Sequence, residues 1–363
     1  MSEQSSIGQD SWYSFPGAEC DVVLSSRVRL SRNLADFVFP QFLKPEDAER
    51  VQSLVFDSFA HFENGEDFQS LRSANLDALG QKILSERGMF SYQMYALPWT
   101  GGVVRSDGRF TCSVNYIDHL RLASFVPGFG CKQAYNMVKQ IDDQLQNKLQ
   151  FAASAEFGYL CPRIADLGSG MKMSAVIHLP SLLMTRAGAK LLREIADMGY
   201  SFSAFLGTNA SEIPCGSYYL VKNRNSFAGT EEEQIERFNS AILRLAEYER
   251  GATMTVAEAN STRVKDTIYR TVAILKYGRL ISNREGIEIV SKIKWGLNLG
   301  LVTGVEHSEL TALLYRIQNA HLTYVIRNGT FEFEYDITSE EGKIERLRAL
   351  VLQEALSNVT LVL

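Results

Sequence analysis

Short apolar runs alternate with helical stripes over roughly the first 255 residues of this 363-residue chain, and beyond that point the pattern is almost wholly helical. The run Val22, Val23, Leu24 reads as a buried strand that delivers the chain through two serines into Arg27, Arg29 and Arg32. Pro45-Glu46-Asp47 opens a helix whose apolar positions Val51, Leu54, Val55 and Phe59 recur at helical spacing. Ser106-Asp107-Gly108 reads as a hairpin turn into the strand RFTCSV. Tyr135, Val138, Ile141, Leu145 and Leu149 mark an amphipathic helix over Gln133 to Leu149. A helix is predicted over Arg186 to Met198, with strands over Tyr200 to Leu206 and Ser217 to Lys222. A long helix follows over 230–251, acidic at its amino end and stopped by Gly251.

The polar patch Glu258 to Arg263 suggests a boundary. Beyond it, helices are predicted over Asp266 to Leu280, Arg284 to Gly300 and Ser308 to His321, then a hairpin-like insert at NGTFEFEYDIT and a last helix from Glu340 to Ser357. The expected organisation is a mobile polar tail over 1–19, a mixed domain over 20–255 and a mainly helical domain over 256–363.

Composition narrows the function classes. A hydrophobic fraction of 45% with 22% charged residues is ordinary for a globular protein, and a net charge of -5 gives no reason to expect a nucleic-acid partner. The five cysteines are scattered without a CxxC pair or metal-ligand spacing, which points to reduced thiols, a cytoplasmic location and no structural zinc. The amino terminus has neither a basic segment nor an apolar core of the signal-peptide kind, and no apolar run approaches membrane-spanning length.

Three stretches carry candidate chemistry. At strand period, Arg27 and Arg29 share one face, and two adjacent guanidiniums repel unless an anion lies between them. A polyphosphate is one such anion; a solvated basic strand or an ion pair with nearby carboxylates is the plainer alternative. In CSVNYIDHLRL, Asn115, Asp118, His119 and Arg121 crowd the end of an apolar strand, as a site or as a turn with a capping Asp. In LGSGMK, Gly168 and Gly170 would let backbone amides approach a phosphate with Lys172 nearby, although the spacing is not that of a Walker loop and a hairpin turn reads equally well. His178, in an apolar run, reads as a core histidine rather than a ligand.

Taken together, these motifs resemble the phosphagen (guanidino) kinase family, specifically its bacterial protein-arginine kinase branch. SSRVRLSRN resembles the family's phosphate-binding arginine segment. NYIDHLR stands where the family has Asn-Glu-Glu-Asp-His-Leu-Arg, and CPRIADLGSGMKMSA stands where it has Cys-Pro-Thr-Asn, a Gly-Thr-Gly turn and Arg-Ala-Ser. The resemblance runs from about residue 20 to the end. It implies an α+β fold, an antiparallel sheet flanked by helices followed by a helical carboxy-terminal domain. It also implies MgATP as cofactor and phosphoryl transfer to arginine side chains of proteins.

The resemblance assigns nucleotide binding to Ser26, Arg27, Val28, Arg29, Arg121, Lys172, Met173, Ser174, Ala175 and Val176, with Lys172 standing where the family has Arg. It assigns the substrate-side carboxylate to Asp118 or Glu212, and a phosphoarginine pocket to Glu345 and Arg348, of whose Arg-Asp-x-x-Arg-Ala motif this chain keeps only the Arg-Ala end. By the same resemblance the partners would be proteins with exposed arginines, a zinc-binding activator, a stress-protease pathway and a second copy in a homodimer; neither nucleic acid nor membrane is expected.

One departure bears on rate. A guanidinium nucleophile must shed a proton as its N–P bond forms. The two family Glu positions are Tyr116 and Ile117 here, and Ile can neither orient a guanidinium nor accept a proton. General-base catalysis is worth on the order of 10²–10⁴ in rate. The readings left open are an active kinase with a rearranged site, a nucleotide-binding relative without transfer, and an adaptor subunit.

Overall fold

A computed structural model of the chain describes residues 11–208 and 214–362. Eight strands form one antiparallel sheet: β1 (Val23–Arg32), β2 (Phe68–Arg72), β3 (Gly101–Arg105), β4 (Phe110–Val114), β5 (Leu120–Pro127), β6 (Met171–His178), β7 (Tyr200–Ala204) and β8 (Tyr218–Asn223). Their order across the sheet is β2-β3-β4-β5-β1-β6-β8-β7, so the arginine-bearing strand lies near the middle. β1 continues straight through Arg27, Arg29 and Arg32, because each of its edges is paired, with β5 on one side and β6 on the other.

One face of the sheet carries the larger apolar core. Val28 and Leu30 of β1, Leu122 of β5, Met171, Met173 and Ala175 of β6 and Val221 of β8 are buried there. They pack under α1 (Pro45–Ala60), α3 (Cys131–Gln146), α4 (Arg186–Asp197) and the first part of α5 (Glu231–Ala259). The small helix α2 (Ala78–Glu86) lies apart, with Glu86 accepting the backbone N–H of Ala320 and His321 at the start of another helix.

Helix α5 starts at a capping box, in which the Thr230 side chain accepts from Glu233 N–H and the Glu233 side chain accepts in return. It does not stop at Gly251. The helix runs on to Ala259, because Ala252, Thr253 and Val256 bury beyond that glycine. The hydrophobic cluster changes inside this helix: Ala252 belongs to the sheet-side core and Val256 to a second core. That second core is built from α6 (Ser261–Tyr277), α7 (Asn283–Asn298), α8 (His307–Arg316), α9 (Asn319–Asn328) and α10 (Glu340–Ala355).

Three further expectations are corrected. The single helix over Ser308 to His321 is two, α8 and α9, interrupted at Ile317 and Gln318. The insert 329–338 contains no strand, so NGTFEFEYDIT is not a hairpin. The tail over 1–19 is not free throughout; its first ten residues lie outside the described ones. Trp12 and Tyr13 are buried, Trp12 stacked on Phe125 at 5.7 Å between ring centroids and Tyr13 on Tyr315 at 4.4 Å. Aromatic burial outweighs the polar character of the flanking serines. No helix among the described residues is long and apolar enough to cross a membrane.

Candidate functional site: a cationic face on the central sheet

Directly opposed residues of an antiparallel pair point to the same face, so register alone assembles a row of cations. Arg27 lies opposite Ser174, Arg29 opposite Lys172, and Ser174 opposite Lys222 on the next strand. On the other side of β1, Arg121 lies opposite Ser31, one pleat beyond Arg29. Arg27, Arg29, Arg121, Lys172 and Lys222 therefore share the face that the apolar core does not use. Arg32 is one residue out of step and turns the other way, into a bidentate pair with Asp142 of α3 at 2.8 and 2.9 Å, where both side chains are fully buried.

Over the cationic face lies a cavity of about 450 Å³, lined among the described residues by six cations (Arg27, Arg29, Arg163, Lys172, Lys222, Arg224) and by one carboxylate, Asp166. Burial, reinforced by the nearby charge of Arg121, pushes the Arg27 guanidinium down to about 10 and the Arg29 guanidinium down to about 9. Burial also lowers Lys172. Among the described residues the Nε atoms of Arg27 and Arg29 are buried without a hydrogen-bond partner, and the Phe125 ring covers Arg27 at 4.9 Å. Buried guanidinium donors left unpaired are costly, and an anion with several oxygens would satisfy them.

Asp166, which sequence reasoning did not single out, joins three of these cations. Its Oδ2 lies 3.5 Å from Arg29 Nη2 and 3.4 Å from Arg121 Nη2, and its Oδ1 lies 3.3 Å from Lys172 Nζ. It sits on a short 3-10 turn, Ile164–Asp166, in the stretch CPRIAD that is two residues longer than the motif it resembles. That extra length was the available signal. Lys222 joins the face through its cross-strand register with Ser174, and Arg163 and Arg224 come from loops and carry no period.

Several residues assigned by resemblance sit elsewhere. The side chains of Val28, Met173 and Ala175 belong to the apolar core, although Met173 also reaches the cavity wall. Ser26 faces away from the cations, donating to Gly128 O and accepting from Gly130 N–H. Val176 packs into the carboxy-terminal core. Only Arg27, Arg29, Arg121, Lys172 and Ser174 of that set present polar side chains on the cationic face. The glycine turn is likewise structural: Gly170 O accepts from Ser31 N–H, and at φ +67 a Cβ would lie 2.6 Å from Ser31 O.

Asp118 is not the free carboxylate of the cleft. It is fully buried, accepting from Asn33 Nδ2 at 3.0 Å and from Arg121 Nε at 2.8 Å, so it orients Arg121. Asn115 and His119 are also committed to the scaffold, Asn115 through Ala48 O and Trp99 O and His119 through the backbone N–H of Leu34. Tyr116 and Ile117 are half-buried, the Tyr116 hydroxyl donating to Gln93 Oε1. Glu212 lies outside the described residues. His178 is a core histidine, buried against Tyr218 with Nε2 at Ser291 Oγ.

Glu345 and Arg348, expected at a phosphoarginine pocket, lie on α10. Arg348 is buried and spends Nε on Ile317 O, Nη1 on Ile281 O and Nη2 on Asn319 Oδ1, which ties α10 to the loops before α7 and α9. Glu345 is half-buried, and its carbonyl accepts from Ile281 N–H. The guanidinium thus serves as an interhelical tie.

Comparison with known proteins is consistent with this layout. Residues 50–252 match the family model described as ATP:guanido phosphotransferase, C-terminal catalytic domain, and residues 261–361 match the model described as Protein-arginine kinase McsB C-terminal domain. A protein-arginine kinase of Desulforamulus reducens is 30% identical over 343 residues, covering 93% of this chain and 96% of that one. One of Syntrophomonas wolfei is 28% identical, covering 93% and 92%. In fold, the chain is similar to the crystal structure of a lombricine kinase, with a TM-score of 0.55 at 16% identity, over 70% of this chain and 71% of that one.

Proposed function

The chain belongs to the ATP:guanido phosphotransferase family, and from that premise we propose that its cationic cleft takes the polyphosphate of MgATP and serves phosphoryl transfer to arginine side chains of proteins. The observation that carries the reading is the convergence of Arg27, Arg29 and Lys172 on one cavity, with Arg121 beside them and two guanidinium Nε donors unpaired. Phosphoryl transfer asks little covalent chemistry of the protein; it asks for positioning and for positive charge around the transferring group. The same cations offer that charge.

Mg²⁺ fits as a companion of the nucleotide, supplying charge neutralisation to its phosphates. Among the described residues no group of three His, Cys, Asp or Glu side chains could hold a metal by itself. Protein acceptors are favoured over small guanidino compounds because the carboxy-terminal region matches the protein-arginine kinase model over residues 261–361.

On the acceptor side, Ile117 offers no carboxylate and Asp118 is buried beneath Arg121. With no free carboxylate at those positions among the described residues, transfer should run slowly, by on the order of 10²–10⁴ relative to a site with a general base. The deciding experiment incubates the full chain with MgATP and an arginine-rich protein and scores acid-labile phosphate on arginine. Slow labelling that Ile117→Glu accelerates supports the proposal. A second reading, nucleotide binding without transfer, is favoured by the same Ile117 and Asp118. It expects MgATP to raise the melting temperature while no acid-labile phosphate forms in either variant.

A further inference from the structure

Asp166 places its carboxylate among three of the cleft's cations. Within one carboxylate, Oδ2 is shared between Arg29 at 3.5 Å and Arg121 at 3.4 Å, while Oδ1 takes Lys172 at 3.3 Å. These are the cations that resemblance assigns to the phosphate clamp, drawn from strands β1, β5 and β6. The carboxylate is almost wholly buried, yet the turn that carries it is exposed at Ile164 and Ala165. Lys172 reinforces the closure by donating from Nζ to Ala165 O on that turn and to Arg224 O across the cavity.

We propose that Asp166 is an internal competitor for the anion site: with no nucleotide bound its carboxylate neutralises the clamp, and an entering polyphosphate must displace it together with the 164–166 turn. The inference rests on the reading of the cleft as a polyphosphate site. Two features make displacement feasible. All three contacts are at 3.3 Å or longer, outside the range of tight charge-assisted hydrogen bonds, so the carboxylate is held by field more than by directed bonds. The turn itself is a single 3-10 turn of three residues, with only Asp166 buried. A polyphosphate brings more negative charge and more acceptor oxygens than one carboxylate, and it also reaches Arg27, which Asp166 leaves unpaired. Because occupant and ligand exclude each other, the free energy holding Asp166 in place is subtracted from nucleotide affinity.

The test is titration of MgATP, and separately of inorganic tripolyphosphate, into the full chain and into Asp166→Asn, which keeps the shape and removes the charge. Binding of both ligands should tighten by about tenfold or more in the variant, while Asp166→Glu, which keeps the charge, stays near the natural affinity. Without ligand, Asp166→Asn should melt lower, since the clamp loses its counter-charge, and tripolyphosphate should restore the loss. If Asp166→Asn does not fold, the pair Ile164→Gly and Ala165→Gly loosens the turn without touching the charge and should tighten binding in the same direction by less. Binding that is unchanged or weaker in whichever variant folds, beside measurable binding by the natural chain, overturns the competitor and leaves the cleft reading standing. No binding by any of these chains overturns both.

Discussion

The two faces of the central sheet use the same amino-acid type in opposite ways. On the apolar face, Arg32 is fully buried and bidentate with Asp142, its plane lying 3.5 Å over the Tyr159 ring, so every part of the guanidinium is spent inside the protein. Three residues earlier, Arg29 shares a long contact to Asp166 with Arg121 and Lys172 and keeps its Nε unpaired. A difference of one step in strand register turns a structural arginine into one available to a ligand. The lesson concerns reserve capacity: a cation already matched by its own carboxylate contributes to the fold, whereas cations outnumbering their carboxylate retain charge for a visitor.

The largest expected effect falls on the apolar face. Asp142→Ala leaves Arg32 buried without its counter-charge and should cost about 3–5 kcal/mol in urea unfolding, with any loss of nucleotide binding following the loss of folded protein. Next, Arg29→Ala should weaken MgATP by about 10- to 100-fold in calorimetry, the size expected for one charged contact to phosphate. Its unfolding midpoint should hold or rise, since a crowded buried cation has been removed. Equal stability losses in the two variants would erase the contrast between the faces.

Acid–base behaviour sharpens the comparison further. Burial and the charge of Arg121 hold Arg29 down to about 9 in the folded chain, well below the ordinary guanidinium range. Nucleotide needs the charged form, so affinity should be level between pH 7 and 8 and then fall by up to about tenfold per pH unit above 9. From about pH 9 upward, until the ordinary guanidinium range is reached, the unfolded chain binds the proton and the folded chain does not, so this group's contribution to stability rises with pH across that window. Arg29→Ala should remove this group's share of both slopes, leaving that of Arg27, held down to about 10. The smallest effect is expected from Lys172→Arg, which restores a fork at that position and should tighten MgATP by about two- to fivefold.

Much of this geometry was legible in the chain because strand period is a strict rule. Val22 to Leu24 announced β1, and two-residue spacing placed Arg27 and Arg29 together. The amphipathic stripe from Tyr135 to Leu145 announced α3 equally well. Asp118 drew attention as the one carboxylate of its motif, but its burial and its bond from Asn33, 85 residues away in sequence, have no local signal. Asp166 escaped notice for the converse reason, since a three-residue turn has no period and its partners lie on three separate strands. Gly251 was read as a helix stop from local propensity alone, and burial of Ala252 and Val256 overrode it.

The most direct test of the cationic face is calorimetric titration of MgATP into the full chain and into the double variant Arg27→Ala, Arg29→Ala at near-neutral pH. The natural chain should bind, more weakly as salt is raised, and the double variant should lose about a hundredfold or more while melting as a folded protein. Equal affinity in the two proteins would contradict the assignment of the phosphate site to this face.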